Sequence, residues 1–307
     1  MAHIADLLMQ GRTFSFEFFP PKNDAEQATL VRALRELEPL EPSFVSVTYR
    51  GGRSSRQRTY DLVVGMLKTT NLTPMAHLTC VVHTRLELAE ILVDFRKAGV
   101  ENVLALGGDP PPDDEVGSGE LKHAIELVEL ARAIGGFSIG VAAHPELHPN
   151  SHGDRTFDRD HLAAKLELAD FAITQFFFRL SDYTGLMEDV AHRGINKPVL
   201  PGIMPITNLK SVRRMAQLSG CDVPPEVVSR LETVADDPEA VRRMGVDMAT
   251  ELCQQLLDAG APGLHFYTLN RSTATREIYA NLGLVGEAAT AVDPVQPAAG
   301  QPAQASA

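Results

Sequence analysis

Several things are scarce in this chain, and each scarcity removes a class of function. It has no tryptophan, and aromatic residues make up only 6% of its 307 positions. Its three cysteines, Cys80, Cys221 and Cys253, are far apart and odd in number. They offer neither a CxxC redox or zinc pair nor a disulfide framework, and read as free thiols in a reducing compartment. No stretch is long and apolar enough to span a bilayer. The opening MAHIADLLMQGR lacks the basic start and apolar run of a secretion signal. Positive charge is short as well: 28 Lys and Arg stand against 40 Asp and Glu, a formal net charge of −12. That balance argues against a nucleic-acid groove or an anionic membrane surface, but a local Lys or Arg can still serve an anionic small ligand. A cytoplasmic protein with no membrane and no nucleic-acid partner is expected. Against this background TFSFEFFPPK (13–22) stands out, because four phenylalanines there crowd one carboxylate, Glu17.

Short β-rich apolar runs recur at 14–19, 44–49, 75–82, 102–108, 138–144, 171–178, 198–205 and 263–270. Between them lie segments such as EQATLVRALRELE and TRLELAEILVDFRKAG, whose apolar residues return every three or four positions. The second ends at Gly99, a helix stop, and VENVLAL begins the next strand. Eight strand–helix units predict an α/β fold, a single (β/α)8 TIM barrel over residues 1–285, with a doubly wound open sheet as the alternative. An extra helical insertion is expected over 221–260, before the last strand. Residues 286–307 are rich in Ala, Pro and Gln, carry no core pattern, and read as a disordered tail.

A barrel of this kind works at the C-terminal ends of its strands. The residues falling there are Glu17, then Thr48 and Tyr49, then His77 and Thr79. Gly107, Gly108 and Asp109 follow, then His144 and His148, then Gln175, and finally Asn270 and Arg271. Strand alternation puts Thr13, Ser15 and Glu17 on one face and Phe14, Phe16 and Phe18 on the other. The phenylalanines then pack under the helices while the carboxyl points into the mouth, where loss of water favours the protonated form a general acid needs. A structural carboxylate bonded to a Lys or Arg is the competing reading.

Other motifs carry less. LGGDPPP (106–112) lets the backbone approach a ligand closely, or is a plain Gly/Pro turn. HPELHPNSH (144–152) spaces three histidines by four, but Pro145 and Pro149 break the helix an HxxxH metal pair needs, so no metal is expected. GFSIG (136–140) has the wrong element order for a nucleophile elbow. Asp158 and Lys165 in DRDHLAAK lie two turns apart on one helix face, which is a solvated face unless a ligand uses it.

Taken in order, FSFEFFPPK, FVSVTY, AHLTC, GGDPPP, HPELHP, AITQFFF, PGIMP and HFYTLNR resemble the segments of the methylenetetrahydrofolate reductase family, from about residue 12 to 284. The resemblance implies a (β/α)8 barrel that holds FAD, is reduced by NADH or NADPH, and reduces 5,10-methylenetetrahydrofolate to 5-methyltetrahydrofolate. It makes Glu17 the general acid and Asp109 the carboxylate near pterin and flavin. It gives Gln175, Leu209 and Arg271 to the substrate side. Thr48, Tyr49, His77, Gly107, Gly108, His144, His148, Asp158, His161 and Lys165 fall at cofactor-binding positions, and a homo-oligomer is in keeping with the family. Gly107 stands where the enterobacterial pattern has Arg, His144 where it has Tyr, His161 and Ala164 where it has Asn and Arg, and Leu209 where it has Phe. Three other readings remain: a metal-dependent barrel hydrolase using His77, Asp109, His144 and His148, a flavin-independent reductase of the same substrate, and a non-catalytic binding barrel.

Overall fold

The computed structural model describes residues 2–49, 53–108 and 119–284. Asp109 and the 286–307 tail lie outside the described residues. Eight parallel strands close on one another in chain order: β1 (Thr13–Phe18), β2 (Phe44–Val47), β3 (Pro74–Thr79), β4 (Asn102–Leu106), β5 (Ser138–Ala143), β6 (Phe171–Phe176), β7 (Val199–Ile203) and β8 (Gly263–Tyr267). β1 pairs with β2 on one side and β8 on the other, which shuts the barrel. The expected (β/α)8 TIM barrel is therefore present, and each strand falls inside the apolar run assigned to it or starts one residue ahead of it.

The helices are α1 (Ile4–Gln10), α2 (Asp24–Leu37), α3 (Arg53–Thr69), α4 (Arg85–Ala98), α5 (Ala124–Ile134) and α6 (Arg155–Leu168). They continue with α7 (Leu180–His192), α8 (Leu209–Ser219), α9 (Pro225–Glu232), α10 (Pro238–Asp258) and α11 (Thr273–Asn281). Local chemistry sets their ends. Thr84 and Glu87 form a reciprocal capping box at the start of α4, and Gly99 stops that helix in the left-handed region at φ 86°. Three helices separate β7 from β8 where the other units have one. α10 packs against α7 and α11 and so completes the outer ring. The surplus is α8 and α9, which share a small apolar cluster of Ile206, Val212, Val227, Leu231 and Val241.

Alternation divides the side chains as strand geometry requires. Phe16 and Phe18 join the large cluster between strands and helices. Phe44, Met75, Leu104, Phe171, Ile173 and Leu200 fill the lower barrel, and Ile4 and Leu8 of α1 pack into the same cluster. α1 thus closes the floor. Its first free amides are satisfied from the strand starts: Ile4 N donates to Asn102 Oδ1 at 2.9 Å and Ala5 N to Ser138 Oγ at 3.0 Å. The tight interior leaves no room at Gly140, where a Cβ would lie 2.6 Å from the Phe171 ring.

Candidate active site

Glu17 is the next-to-last residue of β1, paired in register with Ser46 of β2 and Tyr267 of β8. It is 5% exposed. Three groups from three strands meet its Oε2: His77 Nε2, His265 Nε2 and Ser46 Oγ, each at 3.5 Å. No Lys or Arg pairs with it among the described residues. The competing reading of a carboxylate neutralised by a basic partner therefore finds no support there. Thr268 Oγ1 donates to the backbone oxygen of Glu17 at 2.6 Å and holds the strand end.

His77 is buried, and loss of water pulls its imidazole down to about 4, the nearby Glu17 carboxylate opposing and His265 adding to the fall. It is thus neutral near pH 7. Its Nε2 faces Glu17 Oε2 at 3.5 Å and makes no closer hydrogen bond, and the buried hydroxyls of Thr48 and Thr79 make none. Buried polar atoms left unpaired cost free energy, and two of them, on Thr48 just past β2 and on Thr79 at the end of β3, point to a ligand that pairs them. Gly107 and Gly108 follow β4 directly. A Cβ on Gly107 would meet open space, whereas Gly108 sits at φ 87° with Thr79 2.8 Å from its Cβ position.

Tyr49 is placed differently. Its hydroxyl bonds His83 Nε2 at 2.5 Å, the two rings stack at 5.9 Å, and the side chain belongs to the cluster behind the barrel wall. It supports the β2 end from outside.

The loop after β5 and helix α6 form a second unit of the site. The His144 and His148 rings meet edge to face at 4.5 Å. Burial holds the His144 imidazole down at about 3, and His148, Lys165 and Arg159 push the same way. His148 N donates to Asp158 Oδ1 at 2.8 Å, and Lys165 Nζ donates to Ala142 O of β5 at 2.8 Å. Burial lowers Lys165 to about 8, against the pull of Asp158. Asp158 and Lys165 therefore face the barrel, and the solvated-face reading fails for them. His161 lies on the exposed side of α6, its Nδ1 against Phe157 O at 2.7 Å, and the structure does not bring it to this group.

Gln175 is half-buried on β6 beside a bulge: Ile173 pairs with Leu200, but Phe176 pairs with Gly202. One extra residue on β6 re-aims the side chains there. Leu209 begins α8 and packs on its apolar cluster, while Arg271 is exposed just past β8.

Four participants escaped the sequence reading. His265 and Ser46 are fully buried at Glu17. Both alternate onto the interior face of their strands, the same signal that picks out Glu17, but short apolar runs hid them. His83 holds Tyr49. Arg159, 1% exposed, donates to His144 O at 2.8 Å, Pro145 O at 2.7 Å, Asp158 Oδ2 at 2.5 Å and Asp189 Oδ2 at 2.9 Å. A single Arg in a charged helix gives no such signal. Asn270 does more than end a strand: its side-chain amide pairs both backbone groups of Phe19, at 2.8 and 2.9 Å.

A closed barrel with a buried acid and unpaired hydroxyls at its strand C-termini defines a barrel enzyme acting on a small molecule at the mouth. The family is methylenetetrahydrofolate reductase: its family model matches residues 3–283, and the chain belongs to that family of oxidoreductases. A 5,10-methylenetetrahydrofolate reductase of Pectobacterium carotovorum is 35% identical over 278 residues, covering 90% of this chain and 92% of that one. Methylenetetrahydrofolate reductase (NADH) 1 of Arabidopsis thaliana is 36% identical over 299 residues, 92% of this chain but 50% of the longer relative. Among solved structures, an uncharacterised Clostridium thermocellum protein that binds two copies of 5-methyl-5,6,7,8-tetrahydrofolic acid matches with a TM-score of 0.65 at 14% identity. It covers 94% of this chain and 99% of its own, and supports the fold. No described helix is long and apolar enough to cross a membrane.

Proposed function

We propose that the chain reduces 5,10-methylenetetrahydrofolate to 5-methyltetrahydrofolate, with a reduced nicotinamide nucleotide as donor and noncovalently held FAD between them. The observation that carries this is a buried Glu17 whose partners are two imidazoles and a hydroxyl rather than a base with fixed charge. Such a site suits a carboxyl that delivers a proton. The Arabidopsis relative has NADH in its name, which makes NADH the first donor to try.

The mouth fits a flavin on its own chemistry. The unpaired hydroxyls of Thr48 and Thr79 supply polar contacts, and Gly107 after β4, whose Cβ position is open, permits close backbone approach. His144, His148 and Lys165 line the neighbouring side. Asp158 acts there through His148. When bound, FAD supplies hydride transfer in two separate half-reactions. Glu17 holds a proton and gives it to the bridging nitrogen of the folate as its five-membered ring opens. Asp109, next after Gly108, supplies negative charge for the cationic iminium on the substrate. Gln175 and Arg271 orient the folate, and Leu209 with its cluster offers an apolar surface.

The test is one anaerobic cuvette: visible absorbance first, then NADH, then methylenetetrahydrofolate. A flavin spectrum that bleaches and then recovers supports the whole reading. A colourless protein that still oxidises NADH with the folate, FAD added or not, would shift the proposal to direct hydride transfer. Among the described residues no group of three or more His, Cys, Asp or Glu is placed to hold a metal ion, and Asp109, which the metal-hydrolase reading also uses, lies outside them.

A further inference from the structure

The bulge on β6 carries Gln175, and three side chains hold it. Ile173 pairs with Leu200 and Phe176 with Gly202, so Thr174 and Gln175 both stand opposite Pro201, which has no N–H to give. Gly202 N donates to Thr174 Oγ1 at 2.8 Å. The Tyr267 hydroxyl of β8 donates to Thr174 O at 2.7 Å. Phe176 N donates to Gln175 Oε1 at 3.0 Å. These roles are not open to exchange, because an N–H can only donate and a carbonyl can only accept.

Tyr267 reaches β6 by crossing β7. A Cβ on Gly202 would lie 2.6 Å from the Tyr267 ring and 2.3 Å from Thr174 O, so a side chain there would shut the passage. Phe176 meets the ring edge-on at 6.1 Å and His265 does so at 5.5 Å, which leaves it little freedom to swing away. Tyr267 stands beside Glu17 in the register of β1 and β8, where a second proton donor to the substrate would also stand. Its single hydrogen is committed to Thr174 O, however, and burial keeps the phenol protonated. The residue ties β8 to β6 instead.

With Oε1 taken by Phe176 N, Gln175 has its amide nitrogen left, and that nitrogen has no partner among the described residues. It offers two hydrogens and no lone pair. We propose that Tyr267 is a positioning residue: its hydrogen bond to Thr174 O fixes the bulge so that Gln175 meets the folate as a donor, to a carbonyl oxygen or ring nitrogen of the pterin. The inference rests on the place of Gln175 on the substrate side in the proposed function.

The experiment follows the folate half-reaction of the flavin-reduced holoenzyme over a range of methylenetetrahydrofolate concentrations, in wild type, Tyr267→Phe, Gln175→Ala and the double variant. Gln175→Ala is expected to raise the half-saturating concentration about tenfold, the worth of one hydrogen bond. Tyr267→Phe keeps the ring and loses only the tie. A rise of roughly fivefold is expected, with the limiting rate within about twofold of wild type. The double variant should match Gln175→Ala, because Tyr267 then has nothing left to position. Effects that multiply in the double variant, to about fiftyfold, overturn the proposal. So does a Tyr267→Phe enzyme with wild-type half-saturation, or one that loses limiting rate alone. Thr174→Val removes the other side-chain anchor of the same bulge and is expected to behave like Tyr267→Phe, which keeps the test open if the latter folds poorly. Gln175→Glu still accepts from Phe176 N but has no hydrogen to donate, and at about pH 8 it should bind folate no better than Gln175→Ala. Wild-type half-saturation in that variant overturns the donor assignment. If wild type has no folate half-reaction, the proposed function falls. If it has one and Gln175→Ala leaves half-saturation unchanged, only the role of Gln175 falls, and this inference with it.

Discussion

At the scale of single residues, Glu17 touches two imidazoles and a hydroxyl at 3.5 Å, and that decides what its replacement does. Gln keeps the volume and can still bond these neighbours, but has no proton to give. Glu17→Gln is expected to leave reduction by nicotinamide intact and to slow folate reduction by about 10² to 10⁴, the usual worth of a general acid. Stopped-flow measurement of the two half-reactions checks it, and equal loss in both would remove the acid role. Asp109→Asn is expected to slow the folate step by roughly 10²-fold through lost charge stabilisation; an unchanged rate takes Asp109 out of the mechanism. Glu17 was legible because an acid among phenylalanines breaks the local chemistry. His265 was not, although the same alternation places it: in GLHFYT one polar ring in an apolar strand looks like any satisfied core histidine. The pairing of Asp158 with His148 N was also beyond the sequence, since it depends on how the loop after β5 folds back on α6.

At the scale of elements, the eight strands could be read because each is a short apolar run bounded by turn residues, and closure needs only their order. α1 could not. It has two turns, and its apolar pair Ile4 and Leu8 gains meaning only when the barrel floor is there to receive it. The α6 unit shows the same dependence on context. Arg159 joins two carbonyls of the β5 loop to Asp158 and to Asp189 of α7. Arg159→Met removes the cation and strands these acceptors, a change that costs about 3 kcal/mol when a buried pair loses one partner. The urea midpoint should fall accordingly, and FAD affinity should fall with it because His144 and His148 lose their frame. A variant with an unchanged midpoint would show that the loop holds itself.

At the scale of the whole molecule, the mouth stores neutral histidines in a folded interior, and this ties stability to pH. His77 titrates near 4 and His144 near 3 in the fold, against 6.5 for an exposed imidazole, in both cases chiefly through burial. Above pH 6.5 each is neutral folded or unfolded, and neither biases the equilibrium. Below 6.5 the unfolded chain takes up protons that the folded one refuses, so stability falls as pH falls, until about 4 for His77 and about 3 for His144. The slope is at most about 1.4 kcal/mol per pH unit for each histidine, or roughly 2 kcal/mol each between pH 6.5 and 5. Most carboxylates stay ionised over that interval, so the histidines dominate it. Urea unfolding of the cofactor-free protein at pH 7.5, 6.5, 5.8 and 5.0 measures the slope. His144→Gln and His77→Gln should each lower the slope, and the pair should lower it further than either alone. If the double variant keeps the wild-type slope, the protons enter elsewhere, and the strand ends do not hold their imidazoles neutral.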